Sequence, residues 1–250
     1  MRLFLTLLRR EWNAYVLTPS SYVVWTFFLV LMGLSFSLML YVMAQGPTQG
    51  GVVRLLLGES LFFWLALLLV APVLTMRLLA EEKRSGTFET LMTAPVGDAA
   101  VVGAKYVAAL LFFAALWAPT MLYGVLLQRL QPETVPLDYA ALATAYAGIG
   151  LLGGFFLSIG LFTSALSRNQ ALAAMSCLVV LCALFFWGFT PYYARAPWLQ
   201  EFARYTSPVL HMREFARGVI DTRMVVLYLT GIGVMLFATV KVVEARKWSS

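Results

Sequence analysis

Six long stretches of the sequence contain no charged side chain. A membrane-spanning helix needs about 20 predominantly apolar residues, and about 17 are enough. The six stretches are residues 12–53, 60–76, 106–128, 139–167, 169–194 and 224–240. Their apolar character is continuous, which excludes the alternating strands of a transmembrane barrel. The sequence therefore predicts an all-α integral membrane protein with six transmembrane helices.

The composition agrees with this class. Hydrophobic residues make up 61% of the chain and charged residues only 12%, with a mean hydropathy of +0.83. A soluble domain of this size carries far more charge. We place the spans near residues 22–43, 60–79, 105–127, 139–166, 170–190 and 223–243 and treat residues 1–250 as a single transmembrane domain.

The basic residues near the span ends predict the orientation. With the N-terminus inside, the 18 Lys and Arg residues divide eleven to seven in favour of the inner segments. Cytoplasmic loops carry such an excess, so both termini are expected in the cytoplasm. The net charge of +6 is then explained by this bias and by anionic lipid, and it gives no reason to expect nucleic acid as a partner.

Short helices are predicted on both sides of the membrane. Residues 1–17 mix leucines with arginines, which suits a helix lying on the inner membrane surface better than a frayed tail. Residues 197–218 indicate two short extracytoplasmic helices, opened by Pro197 and Pro208 and ended by Gly218. Asp221 can then cap the last span. The apolar faces of the two outer helices are expected to dip into the headgroups.

Within the spans, Pro72 and Pro119 predict kinks whose freed carbonyls are satisfied by neighbouring helices. Gly150, Gly154 and Ser158 follow one another at four-residue spacing and predict a small face for close helix packing, within the bundle or at a subunit seam.

The segment "EEKRSGTFETLMTAP", residues 81–95, interrupts the apolar pattern. A charged residue at the middle of a bilayer costs roughly 2.5–3.5 kcal/mol, so this segment must lie outside the hydrocarbon. Span 2 can continue through Arg84 and stop at Gly86, and Thr87 can cap a short helix that ends at Pro95. From the residues alone, this helix is either exposed for a partner or folded against its own bundle.

Several segments resemble one family when they are taken together. "EEKRSGTFETLMTAPV" resembles the cytoplasmic coupling helix of the ABC-2 type transporter permeases. "RREWNAYVLTPSSYVVWTFFLVLMGLSF", "HMREFARGVIDTRMVVLYL" and "VVEARKW" are similar to the gliding-motility and nitrous-oxide-related copper permease subgroup. These segments occur in the expected order and cover essentially the whole chain.

The resemblance implies a mechanism. Two six-span subunits, identical or homologous, would pair in the bacterial inner membrane, and each would rest on a separate cytoplasmic ATPase that binds ATP and Mg. The contact with the ATPase would comprise Glu82, Arg84, Gly86, Thr87, Glu89, Leu91 and Pro95, and a second, smaller contact would comprise Arg168 and Asn169. The helix at 1–17 would be the connecting helix, and the outer helices would form a re-entrant pair. Export is the expected direction, and the substrate is left open.

Other functions have less support in the sequence. The chain has no phosphate-binding loop of the form G-x-x-x-x-G-K-[ST] and no hydrolase motif, so it is not expected to be an enzyme. The predicted span interiors contain no ionisable residue, which argues against an ion-coupled transporter. Cys177 and Cys182 are expected to be packing residues, and His211 is not expected to bind a metal. A membrane scaffold, or a subunit that transmits force without moving a substrate, is the alternative function.

Overall fold

The computed structural model describes residues 2–45, 51–84, 86, 97–130 and 138–247. These residues are mainly helical and contain no β-strand. Among them, six helices are long and apolar enough to cross a membrane: Pro19–Ala44, Leu61–Arg84, Asp98–Arg129, Tyr139–Leu166, Gln170–Trp187 and Thr222–Ala245. We call them spans 1 to 6 in chain order. The predicted fold class and the six predicted spans are confirmed.

The spans are accompanied by shorter helices. In the described part of the chain, the α-helices are α1 (Arg2–Val16), α2 (Pro19–Ala44, span 1), α3 (Leu61–Thr75) with α4 (Ala80–Arg84, together span 2), α5 (Asp98–Trp117) with α6 (Met121–Leu130, together span 3), α7 (Tyr139–Leu166, span 4), α8 (Gln170–Trp187, span 5), α9 (Thr190–Tyr193), α10 (Pro197–Thr206), α11 (Pro208–Phe215) and α12 (Thr222–Lys247, containing span 6). An even number of crossings puts α1 and the end of α12 on one side. We call that side the N-terminal face and the other side the opposite face.

Span 4 forms the centre of the bundle. Of its most apolar window, 72% is buried inside the protein, compared with 22% for span 1, 17% for span 5 and 11% for span 6. Large side chains such as Phe63, Phe113 and Phe156 fill the space around it and are fully or almost fully buried. Spans 1, 5 and 6 therefore offer most of their apolar surface to lipid or to another chain.

Glycines allow the close packing around span 4, although they are not all the predicted ones. A Cβ atom on Gly153 would lie 2.2 Å from the Phe113 ring, and one on Gly160 would lie 2.1 Å from the Thr75 hydroxyl oxygen. Gly154 does pack closely, and its carbonyl accepts a hydrogen bond from Tyr106 at 3.1 Å. Gly150 has open space beside it, so the bundle of this chain does not pack on it, and a subunit seam at this position stays a prediction. The four-residue spacing cannot distinguish the packed side of a helix from its open side.

The two prolines behave differently. Pro119 lies in a 3-10 turn, Ala118–Thr120, between α5 and α6, at the position where a kink was predicted in span 3. Helix α3 continues past Pro72 to Thr75, whose hydroxyl donates to the Ala71 carbonyl at 2.7 Å. The helical hydrogen-bond pattern thus resumes soon after the residue that lacks an N–H group.

On the opposite face, the two predicted short helices are present as α10 and α11. Gly218 follows them with a φ of +86°, a left-handed conformation that favours glycine, and the Asp221 carboxylate accepts from the Arg223 backbone N–H at 2.9 Å. Trp198, Phe202 and Tyr205 of α10 are exposed. The apolar side of α11, in contrast, is buried, and Phe215 lies against Gly148 of span 4. Protein therefore covers α11, where headgroups had been expected.

Candidate functional site

The predicted contact segment is described only at its start. Glu82 and Arg84 lie in α4, and Gly86 follows with a φ of +72°, which confirms the predicted end of the helix. Thr87, Glu89, Leu91 and Pro95 lie outside the described residues. The geometry below therefore concerns the point at which span 2 leaves the bundle.

Helix α4 is attached to the end of span 4. Span 2 makes a turn at residues 76–79 before α4 begins, which leaves backbone groups without their regular helical partners. The Ser164 hydroxyl accepts hydrogen bonds from the backbone N–H groups of Leu79 and Ala80 at 3.2 and 3.1 Å. The Lys83 ammonium donates to the Ala165 carbonyl. These bonds hold the start of the charged segment against the fourth span.

A buried lysine connects α4 to two further elements. The Lys105 side chain of span 3 is only 3% exposed, and its Nζ lies 2.8 Å from Glu82 Oε1 and 3.1 Å from Glu11 Oε1 of α1. Arg10 lies at the outer side of the same two carboxylates, at 3.3 Å from Glu82 and 3.4 Å from Glu11. We call these four residues the Lys105 cluster. It joins three segments that are far apart in the sequence.

Lys105 lies at the predicted start of span 3, but the helix itself begins earlier, at Asp98. Lys105 is therefore about 10 Å from the start of the helix, at 1.5 Å per residue. The predicted membrane boundaries of this span, near residues 105–127, stay a prediction. A buried ammonium is tolerated here because two carboxylates compensate its charge. One charged residue in the otherwise apolar stretch 99–106 was a signal that such partners were needed.

Aromatic residues hold α1 against the same region. The Tyr15 hydroxyl donates to the Leu74 carbonyl of span 2 at 2.7 Å, and its ring stacks on Phe112 of span 3 at a centroid distance of 5.0 Å. Burial raises the pKa of Tyr15 well above its usual value, since the phenolate would lack solvation. The predicted N-terminal helix is present, and it packs against spans 2 and 3. Its location on a membrane surface stays a prediction.

The second predicted contact lies next to α4. Arg168 and Asn169 are exposed in the turn between spans 4 and 5, and the Asn169 side chain accepts from the Ala171 N–H at 3.1 Å to cap span 5. The turn follows Ser164 and Ala165, the two residues that bind α4. The described start of the first predicted contact, in α4, and the second predicted contact therefore lie close together on the N-terminal face. The Lys105 cluster was not predicted.

Comparison with known proteins identifies the family of this chain. The family model for the ABC-2 type transporter matches residues 2–220. No curated protein matches the sequence, and the family match gives no support to the gliding-motility and copper permease subgroup. The match covers α1, spans 1 to 5 and both short outer helices. The chain therefore belongs to the ABC-2 type transporter family.

Proposed function

We propose that this protein is the membrane-spanning subunit of an ABC exporter and that a separate cytoplasmic ATPase drives it through segment 81–96. Membership of the family makes the chain a permease component of an ABC transporter. The proposed role of segment 81–96 rests on the Lys105 cluster, which joins the start of this segment to the bundle. ATP and Mg would be bound by the partner.

The attachments of α4 define how a movement would spread. Ser164 and the Ala165 carbonyl connect α4 to span 4, Lys105 connects it to span 3, and Glu11 extends the cluster to α1. A partner that displaces α4 would therefore pull on two spans and on α1 together. Such a rigid connection between a surface segment and the bundle is what transmission of an ATPase movement requires.

The orientation and the pairing belong to the same proposal. The eleven-to-seven distribution of basic residues favours the N-terminal face as the cytoplasmic one, which makes Arg84, Arg168 and Asn169 accessible to a cytoplasmic protein. Spans 1 and 5 bury little of their surface within the chain, which leaves apolar area for a second permease chain and for lipid.

Charge reversal at one exposed residue tests the docking. Arg84 is exposed at the end of α4, and Arg204 is exposed on α10 at the opposite face. We expect Arg84→Glu to lower the amount of ATPase that co-purifies in mild detergent and to lower ATP hydrolysis by the complex, whereas Arg204→Glu leaves both unchanged. Equal co-purification with the two variants would contradict the proposed face. ATPase binding without any transported substrate would favour force transmission.

A further inference from the structure

A cavity of about 300 Å³ lies on the N-terminal face, beside the Lys105 cluster. Helix α1 forms one wall with Arg10, Ala14 and Tyr15, the start of span 1 forms the second, and the end of span 2 forms the third. The cavity has an exposed rim, because Ala14, Ser20 and Arg77 are all exposed.

Two of these walls change from polar to apolar at the same level. On span 1, Ser20 and Ser21 are followed by Val24, and on span 2, Val73 and Leu74 precede Arg77. The Arg77 guanidinium donates to the Ser20 hydroxyl at 2.7 Å, which aligns the polar ends of both walls. The valines lie about four residues deeper, or roughly 6 Å along a helix. The cavity therefore has a polar outer part and an apolar inner part.

Arg77 is the cation that this cavity presents to a ligand. Lys105 and Arg10 each contact two carboxylates, whereas Arg77 forms no ion pair with any carboxylate among the described residues. A guanidinium whose hydrogen-bond partner is a neutral hydroxyl group can bind a phosphate oxygen through charge-assisted hydrogen bonds. Two hydrogen bonds to span 2 fix the groups around this guanidinium: Arg77 donates to the Ser20 hydroxyl, and the Tyr15 hydroxyl donates to the Leu74 carbonyl.

The charges that line the cavity determine which type of headgroup it favours. Three cations and three carboxylates line the cavity: Arg10, Arg77 and Lys105 with Glu11, Glu81 and Glu82. The lining is therefore neutral overall: four of these charges are joined in the Lys105 cluster, and Arg77 and Glu81 add one positive and one negative charge on the wall formed by span 2. A headgroup with net negative charge gains little from such a field, whereas a zwitterion places its phosphate and its ammonium against charges of opposite sign.

From this geometry we infer that the cavity binds a zwitterionic phospholipid from the adjacent leaflet, with its phosphate on Arg77 and the upper part of its acyl chains against Val24 and Val73. The volume accommodates a headgroup and its glycerol, and the open rim leaves the chains in the bilayer. The bound lipid would fill the wedge between α1 and spans 1 and 2. This inference does not depend on an ATPase partner.

Native mass spectrometry of the purified intact chain tests the site. Phosphatidylethanolamine, phosphatidylglycerol and inorganic phosphate are added separately to the delipidated protein in detergent. We expect phosphatidylethanolamine to be retained preferentially and Arg77→Gln to retain about tenfold less of it, the loss expected for one charge-assisted hydrogen bond. Arg9→Gln is the matched control, because Arg9 is exposed on α1 but does not line the cavity.

A second variant keeps the test decisive if Arg77→Gln does not fold. Ala14→Trp adds volume at the cavity from an exposed position of α1 and should displace the lipid while the chain stays monodisperse. Unchanged retention in both variants would overturn the site. Equal retention of phosphatidylglycerol would overturn the zwitterionic selection, and binding of inorganic phosphate alone would show an anion site without a lipid. ATPase co-purification is a separate measurement and does not enter this test.

Discussion

The two faces of the protein carry their charges in different ways. On the N-terminal face, Lys105 is almost completely buried and joins Glu11 and Glu82, residues 94 and 23 positions away in the sequence. On the opposite face, Glu59 pairs with Arg54, five residues away, and lies 3.8 Å from Arg213 of α11. These three side chains are 26–29% exposed, so the ion pairs of the two faces differ mainly in burial.

This difference indicates what each face can transmit. Ion pairs that are partly exposed to solvent contribute little to stability. A cluster shared by α1, span 2 and span 3 makes these elements move together, because separating them leaves the buried Lys105 ammonium without its carboxylates. The N-terminal face is therefore the one suited to receive a movement from a partner.

Removing one cation from each face should give unequal losses of stability. Lys105→Met leaves the Glu11 and Glu82 carboxylates without their buried partner, and we expect the free energy of unfolding to fall by about 3 kcal/mol. Arg54→Met removes an accessible partner of Glu59 and should cost about 1 kcal/mol or less. Unfolding in mixed micelles with increasing SDS measures both values.

A double variant checks the origin of that loss. Adding Glu82→Gln to Lys105→Met removes one of the uncompensated carboxylates and should recover part of the stability. If the two substitutions are simply additive, or if Arg54→Met is as costly as Lys105→Met, the contrast between the faces does not hold.

Acidification should lower the stability of the protein, because protonation of His211 on the opposite face opposes folding. This residue is 3% exposed, its Nδ1 lies 2.9 Å from the Tyr228 hydroxyl, and burial lowers its pKa to about 4, outweighing the Tyr205 backbone and the Asp221 carboxylate. In the unfolded chain the His211 pKa is near 6.5, so between pH 4 and 6.5 the unfolded state binds the proton more readily than the folded state. Stability is therefore expected to fall as the pH decreases from about 6.5 to about 4, by about 2 kcal/mol at pH 5.

His211→Asn isolates this contribution, since asparagine does not titrate in that range. The difference in unfolding free energy between pH 7 and pH 5 should be smaller in this variant than in the wild type. An identical difference in the two proteins would assign the acid sensitivity to other groups.

The sequence contained enough to predict the spans but not their contacts. Absence of charge determines which segments enter lipid, and glycine and proline determine where helices stop, so the six spans and the ends at Gly86 and Gly218 were predictable. Lys105 was assigned only to the inner surface, because its partners come from α1 and span 2. Glu82 was predicted for its exposure to a partner, although it is also half of a buried pair. Pairing between distant segments leaves no periodic signal in one sequence.

Two hydroxyl groups on span 4 allow a comparison of the faces within one helix. Ser164 accepts from the Leu79 and Ala80 N–H groups of span 2, and Thr144 donates to the Phe215 carbonyl of α11 at 2.6 Å. Ser164→Ala leaves two buried N–H groups without an acceptor and should cost about 2–3 kcal/mol, whereas Thr144→Ala removes one bond to α11 and should cost about 1 kcal/mol.

Ser164→Ala and Thr144→Ala should also differ in their effect on coupling to the ATPase. Ser164→Ala loosens the attachment of α4, so ATP hydrolysis by the reconstituted complex should become less dependent on the permease, while Thr144→Ala leaves this dependence unchanged. Stimulation of the ATPase by wild-type and variant permease in the same proteoliposomes measures it. Unfolding of both variants is measured in parallel, so that a loss of stimulation confined to folded Ser164→Ala is assigned to coupling. An equal loss in both variants would place the coupling outside the N-terminal face.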